Sequence, residues 1–224
     1  MTTRILIEPT PWDAAALGVD SYELRQAGAT AMMQMRQAPG HYTVKVDPLA
    51  SKKLLHDYGF YYCDTLIEPH CVAGRFSPRP HEGAAVGRDT RLDAVLEICR
   101  GAFTRGRFHR DFNVETARAD ARYDRWLVQL HAEGRVYGLL FNGTLAGFAA
   151  AIDGRLVLHA VARHFRGQGL ARGLWTALCT DLFAHGAAQV SSSISVANMA
   201  ALNLYASLGF RFRKPLDVYH CVIP

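Results

Sequence analysis

The sequence predicts an α/β (α+β) protein in which strands and helices alternate along most of the chain. Short apolar runs of strand length are bounded by Asn-Gly and Asp-Gly turns, and longer stretches carry apolar residues at helical spacing. A strand–helix–strand pattern also occurs twice, near the middle of the first half and at the C-terminus. With 224 residues, 50% of them hydrophobic, the chain is long enough for one large domain or a domain and a half.

The repeated pattern relates residues 41–71 to residues 192–223, with Gly59-Phe60 aligned on Gly209-Phe210. Each copy predicts a strand, a helix that ends at its glycine, and a second strand, because glycine adopts the positive φ of a helix C-cap at little cost. Duplication of a half-domain explains the repeat, and chance similarity is the alternative. The residues of the first copy that are identical in the second are Val46, Ala50, Leu54, Leu66, His70 and Cys71.

A stretch rich in proline, glycine and charge, "RFSPRPHEG", separates the two copies. It predicts a linker at 76–83, a truncated N-terminal domain at 1–75 and a larger domain at 84–224. The larger domain has the predicted order β-α-α-β-β-β-α-β-α-β. Its predicted elements are a strand at 84–87, a helix capped by Asp89 or Thr90, a helix at about 115–132, strands joined at Asn142-Gly143 and Asp153-Gly154, a helix from about Leu170 to His185, and the second repeat copy.

The charge narrows the class of ligand. The formal net charge is +5, and only four of the 25 basic residues are lysine. Arginine binds phosphate through two parallel hydrogen bonds, so a small anionic ligand with several phosphates is one interpretation of this bias. A solvated arginine-rich surface is the alternative. The sequence has no basic run or nucleic-acid-binding motif, so no nucleic-acid partner is predicted.

Several further classes are not expected. The apolar runs are shorter than a membrane span and the N-terminus lacks the apolar core of a signal peptide, which predicts a cytoplasmic protein without a membrane partner. The cysteines have no CxxC spacing, so we expect reduced thiols and no metal site. These cysteines are Cys63, Cys71, Cys99, Cys179 and Cys221.

The stretch "FRGQGLARG" at 165–173 lies between a predicted strand and a predicted helix. Free backbone N–H groups at a helix N-terminus bind anions, and glycines let phosphate oxygens approach the backbone closely. Three interpretations are open: a flexible turn, a dinucleotide-binding fold, or a pyrophosphate site of another kind. A dinucleotide fold is disfavoured because Gly173 is one position late for GxGxxG and no acidic residue follows at the required distance.

Two stretches carry a resemblance to a known superfamily. "VARHFRGQGLA" resembles the acyl-coenzyme A signature R/Q-x-x-G-x-G/A of the GNAT (GCN5-related N-acetyltransferase) superfamily, with Arg166, Gly169 and Ala171 on the motif. "NMAALNLYASLGF" at 198–210 is similar to the last helix of that superfamily. The resemblance covers about 84–224. It implies the GNAT fold, a mixed and mostly antiparallel sheet flanked by helices, preceded here by a truncated GNAT-like half-domain.

The resemblance also implies roles for individual residues in transfer by direct attack. Two splayed strands would admit the pantetheine of acetyl-CoA or another acyl-CoA, and the Val161 backbone N–H would polarise the thioester carbonyl. Tyr205 would act as the general acid. The residues implied to bind the acyl-CoA are Val161, Arg166, Gly167, Gln168, Gly169, Leu170, Ala171 and Asn198.

A narrower resemblance concerns the acceptor. "IEPTPWDAAALGVDS" at the N-terminus and residues 101–126 look like the N-acetyltransferases of dTDP-4-amino-4,6-dideoxygalactose, enzymes of surface-polysaccharide (lipopolysaccharide and O-antigen) synthesis. Tyr123 and Trp126 match this family too. The implied acceptor is a nucleotide amino sugar, and a homodimer is compatible with the sequence. The alternatives are another amine (a protein N-terminus, a polyamine or an antibiotic) or a non-catalytic acyl-CoA-binding protein. Candidate acceptor-binding residues are Arg107, Phe108, His109, Asp111 and His159.

Overall fold

The computed structural model describes residues 6–224. Eleven strands form one mixed sheet. The strands are β1 Ile7–Pro9, β2 Ser21–Leu24, β3 Gly40–Val46, β4 Tyr61–Val72, β5 Ala84–Gly87, β6 Val136–Phe141, β7 Thr144–Ile152, β8 Arg155–Val161, β9 Gln189–Ser192, β10 Ile194–Ser195 and β11 Arg211–Ile223. The helices are α1 Pro11–Leu17, α2 Ala29–Met35, α3 Lys53–Asp57, α4 Leu92–Cys99, α5 Thr116–Ala132, α6 Ala171–Ala184 and α7 Met199–Ser207.

The two repeat copies exchange strands within this sheet. The strand order is β1-β2-β3-β11-β4-β9-β8-β7-β6-β5, and β10 pairs with β4. The last strand of the second copy, β11, therefore lies between β3 and β4, while β4 of the first copy lies between β11 and β9. Two pairs, β2–β3 and β8–β9, are parallel and the other pairs are antiparallel. This confirms the predicted mixed α/β architecture.

Helices cover both faces of the C-terminal part of the sheet. Alternate residues of β7 divide between two cores, because successive side chains of a strand point to opposite faces. Ala149 packs in the core beneath α6 and α7, whereas Phe148 and Ala150 pack against α4 and α5. A third core, with Met32, Met35 and Leu55, lies beneath α2 and α3. None of the helices within residues 6–224 has the length and apolar character needed to cross a membrane.

The predicted turns have the backbone conformation that their residue types favour. Asn142 and Gly143 have φ of 49° and 76°, and Asp153 and Gly154 have 48° and 77°, as expected for two-residue hairpins with positive φ at both positions. The helix predicted at about 115–132 is α5, and the one predicted from Leu170 is α6. The predicted helix cap is wrong: α4 begins after Arg91, without a side-chain cap, so Asp89 and Thr90 lie outside the helix.

Residues 76–83 contain no helix or strand, but this predicted linker is packed against the C-terminal part. The Arg79 N–H donates to Thr176 Oγ1 at 2.9 Å, and the Ser77 N–H donates to the Leu208 carbonyl at 3.0 Å. A Cβ added to Gly173 on α6 would lie 2.3 Å from the Cβ of His81, so glycine is what allows this close approach. All five cysteines are buried free thiols.

Candidate active site

The glycine-rich turn ends in a row of free backbone amides at the start of α6. Gly167 and Gly169 both have φ of +76°, a conformation that glycine adopts at little cost. A Cβ added to either would meet no atom within 4 Å, so the turn opens to solvent. Among residues 6–224, no acceptor is found for the backbone N–H groups of 167–173. The arrangement has the free donors and the positive helix end that bind phosphate.

Side chains at the same turn tie it to the preceding strand. Arg166 Nε donates to the Val161 carbonyl at 2.8 Å, and Gln168 Nε2 donates to the His164 carbonyl at 2.6 Å. Both side chains are exposed. The guanidinium of Arg166 thus has a fixed place at the rim, between the end of β8 and the free amides. This location suits a positive charge that faces phosphate oxygens.

Strands β8 and β9 separate shortly after they begin to pair. Their parallel pairing covers only Arg155 and Leu156 of β8. Beyond that point the chain of β9 continues into β10, which pairs with β4 instead, so a gap opens along β8. On its other edge, Ala162 N–H donates to the Ala146 carbonyl. Because neighbouring residues of a strand direct their backbone groups to opposite edges, the Val161 N–H points into the gap.

The side chains of Tyr205 and His159 meet in the core beneath α6 and α7. The Tyr205 hydroxyl lies 3.1 Å from His159 Nε2, and Tyr205 is fully buried. Burial lowers the pKa of His159 to about 4, so the imidazole is neutral at pH 7. Burial also raises the pKa of Tyr205, which keeps its proton on the hydroxyl. The predicted acid is therefore hydrogen-bonded to a residue that the sequence assigned to the acceptor.

Asn198 has a structural role at the N-terminus of α7. Its side-chain Oδ1 accepts a hydrogen bond from the Ala201 N–H at 3.1 Å, as an N-cap residue does. The amide nitrogen of Asn198 makes no hydrogen bond to another residue in the described part of the chain. It is the part of this side chain that can reach a ligand.

The residues predicted to hold the acceptor lie mostly inside the protein. Phe108 is 1% exposed and packs with Leu17 and Ala119, so neither face of its ring is free for a nucleobase. The guanidinium of the neighbouring residue Arg107 forms an ion pair with Asp13, with Nη2 3.6 Å from Oδ2. The prediction that Phe108 binds the acceptor, as an aromatic ring stacked on its base, is wrong for this arrangement, because Leu17 of α1 covers a ring that the sequence leaves exposed.

His109 and Asp111 of the same loop are also engaged. His109 Nε2 lies 3.0 Å from Asp120 Oδ1 on α5. Asp111 is buried and bonded to His41 and His220, on strands distant in the sequence. Exposed groups of this loop are Arg105, Arg110 and Phe112, the last with 79% of its surface accessible.

The sequence analysis missed a buried carboxylate on β4. Asp64 is 1% exposed, and its Oδ1 accepts hydrogen bonds from Ser195 Oγ (2.7 Å) and Arg110 Nη1 (2.8 Å). Asp64 Oδ2 is buried and has no partner among residues 6–224. Burial raises the pKa of this carboxyl. The sequence signal for this carboxylate is weak, because β4 also carries the polar residues Thr65, Glu68 and His70.

Asp64 connects β4 of the first repeat copy to β10 and to the loop before α5. Ser195 belongs to β10, the segment that has left β8, and Arg110 belongs to the loop before α5. A carboxylate with a raised pKa and an unpartnered oxygen is a proton acceptor of the kind found at functional sites. The first repeat copy thus contributes a side chain that contacts β10 of the second copy.

Comparison with known proteins agrees with this geometry. Residues 93–210, more than half of the chain, match the acetyltransferase (GNAT) family. A GCN5-related N-acetyltransferase from Sphaerobacter thermophilus superposes with a TM-score of 0.62 at 14% identity, over 97% of this chain and 76% of its own. One from Kribbella flavida gives 0.57 at 15% identity, over 90% and 80%.

A tandem GNAT protein from the clavulanic acid biosynthesis pathway superposes with a TM-score of 0.57 at 13% identity, over 91% of this chain and 75% of that one. At such identities the likeness shows the fold alone. No curated protein sequence matches the chain. The family match includes the separated strands β8 and β9 and the free amides at the start of α6. Because the match covers more than half of the chain and the fold agrees with it, the chain belongs to the GNAT family of acetyltransferases, enzymes that take their acyl group from acetyl-CoA.

Proposed function

We propose that this enzyme transfers an acetyl, or another short acyl, group from acyl-CoA to the amino group of a nucleotide-linked amino deoxysugar. The observation that carries an amine acceptor is Asp64, with its buried and unpartnered Oδ2. The support for a nucleotide sugar is the resemblance of 7–21 and 101–126 to such enzymes. The exposed Arg105, Arg110 and Phe112 of the loop before α5 supply charge and an aromatic face for that acceptor.

On the donor side, the amides of 167–171 and the Arg166 guanidinium bind the pyrophosphate, and the Asn198 amide nitrogen donates to the pantetheine arm. The acyl-CoA supplies an activated thioester carbonyl. The Val161 N–H donates to that carbonyl oxygen and stabilises the negative charge that develops on it. These donors are held by secondary structure, so little reorganisation is needed during the reaction.

On the acceptor side, Asp64 removes a proton from the ammonium group of the sugar, which must be neutral to attack. Desolvation raises the proton affinity of Asp64, and this makes it a better base than an exposed aspartate. Ser195 and Arg110 hold the carboxylate through Oδ1 and leave Oδ2 for the amine. The base therefore comes from the first repeat copy.

As the new C–N bond forms and the C–S bond breaks, Tyr205 gives its hydroxyl proton to the departing thiolate, and the second proton that the attacking nitrogen loses returns Tyr205 to its neutral form. His159 is a positioning residue in this scheme, because its neutral Nε2 lies within hydrogen-bond distance of the hydroxyl and fixes the ring. In this scheme the Tyr205 hydroxyl rotates so that its hydrogen bond passes from His159 Nε2 to the sulfur of the departing thiolate. This corrects the sequence-based placement of His159 among acceptor-binding residues to one beside the acid.

Coenzyme A release over a panel of amines tests the proposal. We expect a dTDP-amino sugar to give the highest kcat/KM, above UDP-amino sugars, a free amino sugar, a polyamine, an aminoglycoside and a peptide with a free N-terminus. If the polyamine, the antibiotic or the peptide has a higher kcat/KM than the nucleotide sugars, the proposed acceptor is wrong and that amine takes its place. Tight acetyl-CoA binding with no release on any amine indicates a binding protein.

A further inference from the structure

Two histidines and an aspartate form a closed cluster away from the gap. His41 lies on β3, His220 on β11 and Asp111 in the loop before α5, and their side chains are 2%, 0% and 0% exposed. Asp111 Oδ2 lies 3.0 Å from His41 Nε2 and 2.7 Å from His220 Nδ1. One donor atom from each residue lies within 4.8 Å of the other two.

We propose that His41, Asp111 and His220 bind a zinc ion that joins the two repeat copies to the loop before α5. The cysteine spacing, which predicts no metal site, says nothing about a site made of histidine and aspartate. Two imidazole nitrogens and a carboxylate oxygen are a ligand set that zinc takes in proteins.

The spacing of the donor atoms fits this ion. Zinc bonds to nitrogen and oxygen of about 2.0–2.1 Å place tetrahedral ligand atoms roughly 3.3 Å apart, and sites with three protein ligands take water in the fourth position. The two separations from Asp111 Oδ2, 3.0 and 2.7 Å, differ from that by a few tenths of an ångström, and the two imidazole nitrogens lie within 4.8 Å of each other. Small side-chain rotations would bring the three atoms to the tetrahedral spacing.

The surroundings of Asp111 leave one of its oxygens free to bind a metal. Tyr61 hydroxyl and the Asn113 N–H both donate to Oδ1 at 2.9 Å. They fix the carboxylate so that Oδ2 faces the two imidazoles, as outer hydrogen bonds orient metal-binding carboxylates. The remaining imidazole nitrogens, His41 Nδ1 and His220 Nε2, are buried and have no hydrogen-bond partner in the described chain.

The carboxylate of Asp111 is fully buried, and its ion-pair partners within the described residues are the two imidazoles. Neighbouring Arg107 is turned toward Asp13. A zinc ion would supply the positive charge that the buried carboxylate lacks.

Metal content and thermal stability test this site in the full-length protein. After expression with added zinc and gel filtration in chelator-free buffer, we expect about one zinc per chain by mass spectrometry of the metal. Asp111→Asn and His220→Gln are expected to fall to background. His185→Gln is the matched control, because His185 is an exposed histidine outside the cluster, and it keeps the metal.

The unmodified protein provides a measurement that does not depend on the folding of variants. EDTA is expected to lower its Tm by several degrees and added zinc to restore it, and cobalt(II) is expected to give the visible absorption of a tetrahedral site. Background zinc with no response of Tm to EDTA or zinc overturns the proposal and leaves a hydrogen-bonded triad. Zinc retained equally by all variants overturns it as well, since the metal then lies elsewhere.

Discussion

The N-terminal β2–α2–β3 unit and the C-terminal β8–α6–β9 unit have the same order of elements but differ in how far their strands are paired. Strands β2 and β3 are parallel and paired at every residue of β2, from Ser21 to Leu24. Strands β8 and β9 are paired only at Arg155 and Leu156. The first unit is a closed sheet, and the second has a gap along β8.

The connections to the two helices differ in the same sense. Only Arg25 to Gly28 separate β2 from α2, and Gly28 has an extended backbone with φ of −128°. The connection from β8 to α6 contains a short 3-10 turn and two glycines in the left-handed region. Under the proposed function, the longer turn and the shorter strand pairing distinguish the acyl-CoA site, because a helix between two parallel strands is present in both units.

The largest effect is expected from removing the hydroxyl of Tyr205, the proposed acid, which lies on α7 and contacts His159 of β8. Tyr205→Phe keeps the buried ring and deletes the hydroxyl, so acetyl-CoA binding is unchanged and kcat falls by about 10²–10⁴-fold. Steady-state kinetics and calorimetry measure the two quantities. Tyr42→Phe, at a buried tyrosine of the closed unit, is the control and retains full kcat. A loss below about threefold for Tyr205→Phe means that the thiolate leaves without this acid.

A slightly smaller effect is expected at Asp64, the side chain that the first repeat copy contributes to the proposed site. Asp64→Asn lowers kcat/KM by about 10²–10³-fold at neutral pH because it removes the base. Burial raises the pKa of Asp64, so wild-type kcat/KM declines as the pH falls through that raised pKa and Asp64 becomes protonated. The variant is expected to lose this decline. The exposed Asp20→Asn is the control, and an unchanged pH profile in Asp64→Asn assigns the base elsewhere.

Donor affinity can be used to compare the two helix N-termini directly. Gly169→Val forces a branched residue to a φ of +76° and adds atoms where phosphate approaches, so Kd for acetyl-CoA rises by about tenfold to a hundredfold. Gly28→Val at the start of α2 has an extended backbone and no close neighbour, and its Kd stays unchanged. Calorimetry of the two variants decides, and equal affinities contradict a phosphate site at α6.

The features that the sequence predicted are encoded by residues close together in the chain. Asn142-Gly143 and Asp153-Gly154 favour positive φ by themselves, and the glycines before α6 have the same local preference. The repeat was visible because each copy ends its helix at Gly-Phe. These signals are sufficient for the turns and for the order of helices and strands around them, and they also motivate the proposed donor site.

The missed features depend on residues far apart. Phe108 and Asp111 look solvated in an arginine-rich loop, yet the loop is covered by α1 and by strands that carry His41 and His220. Asp64 gains its environment from Ser195 and Arg110. The exchange of β4 and β11 brings these groups together, and no local pattern predicts which strand of one copy pairs with the other.

The smallest effect is expected in the loop before α5, where substitution of a buried and of an exposed phenylalanine distinguishes a packing role from an acceptor-binding role. Phe108→Leu disturbs the buried contact with Leu17 and is expected to cost about 1–2 kcal/mol of stability while leaving KM unchanged. Phe112→Leu alters an exposed ring 4.5 Å from that of Tyr61, so its stability stays within about 0.5 kcal/mol. If Phe112 stacks on the nucleobase, KM for the nucleotide sugar rises by about two- to tenfold, the value of an aromatic pair.

Chemical denaturation and acceptor kinetics measure both variants. An increase in KM confined to Phe108→Leu restores the sequence-based assignment, since the loop must then turn its buried ring outward to bind the acceptor.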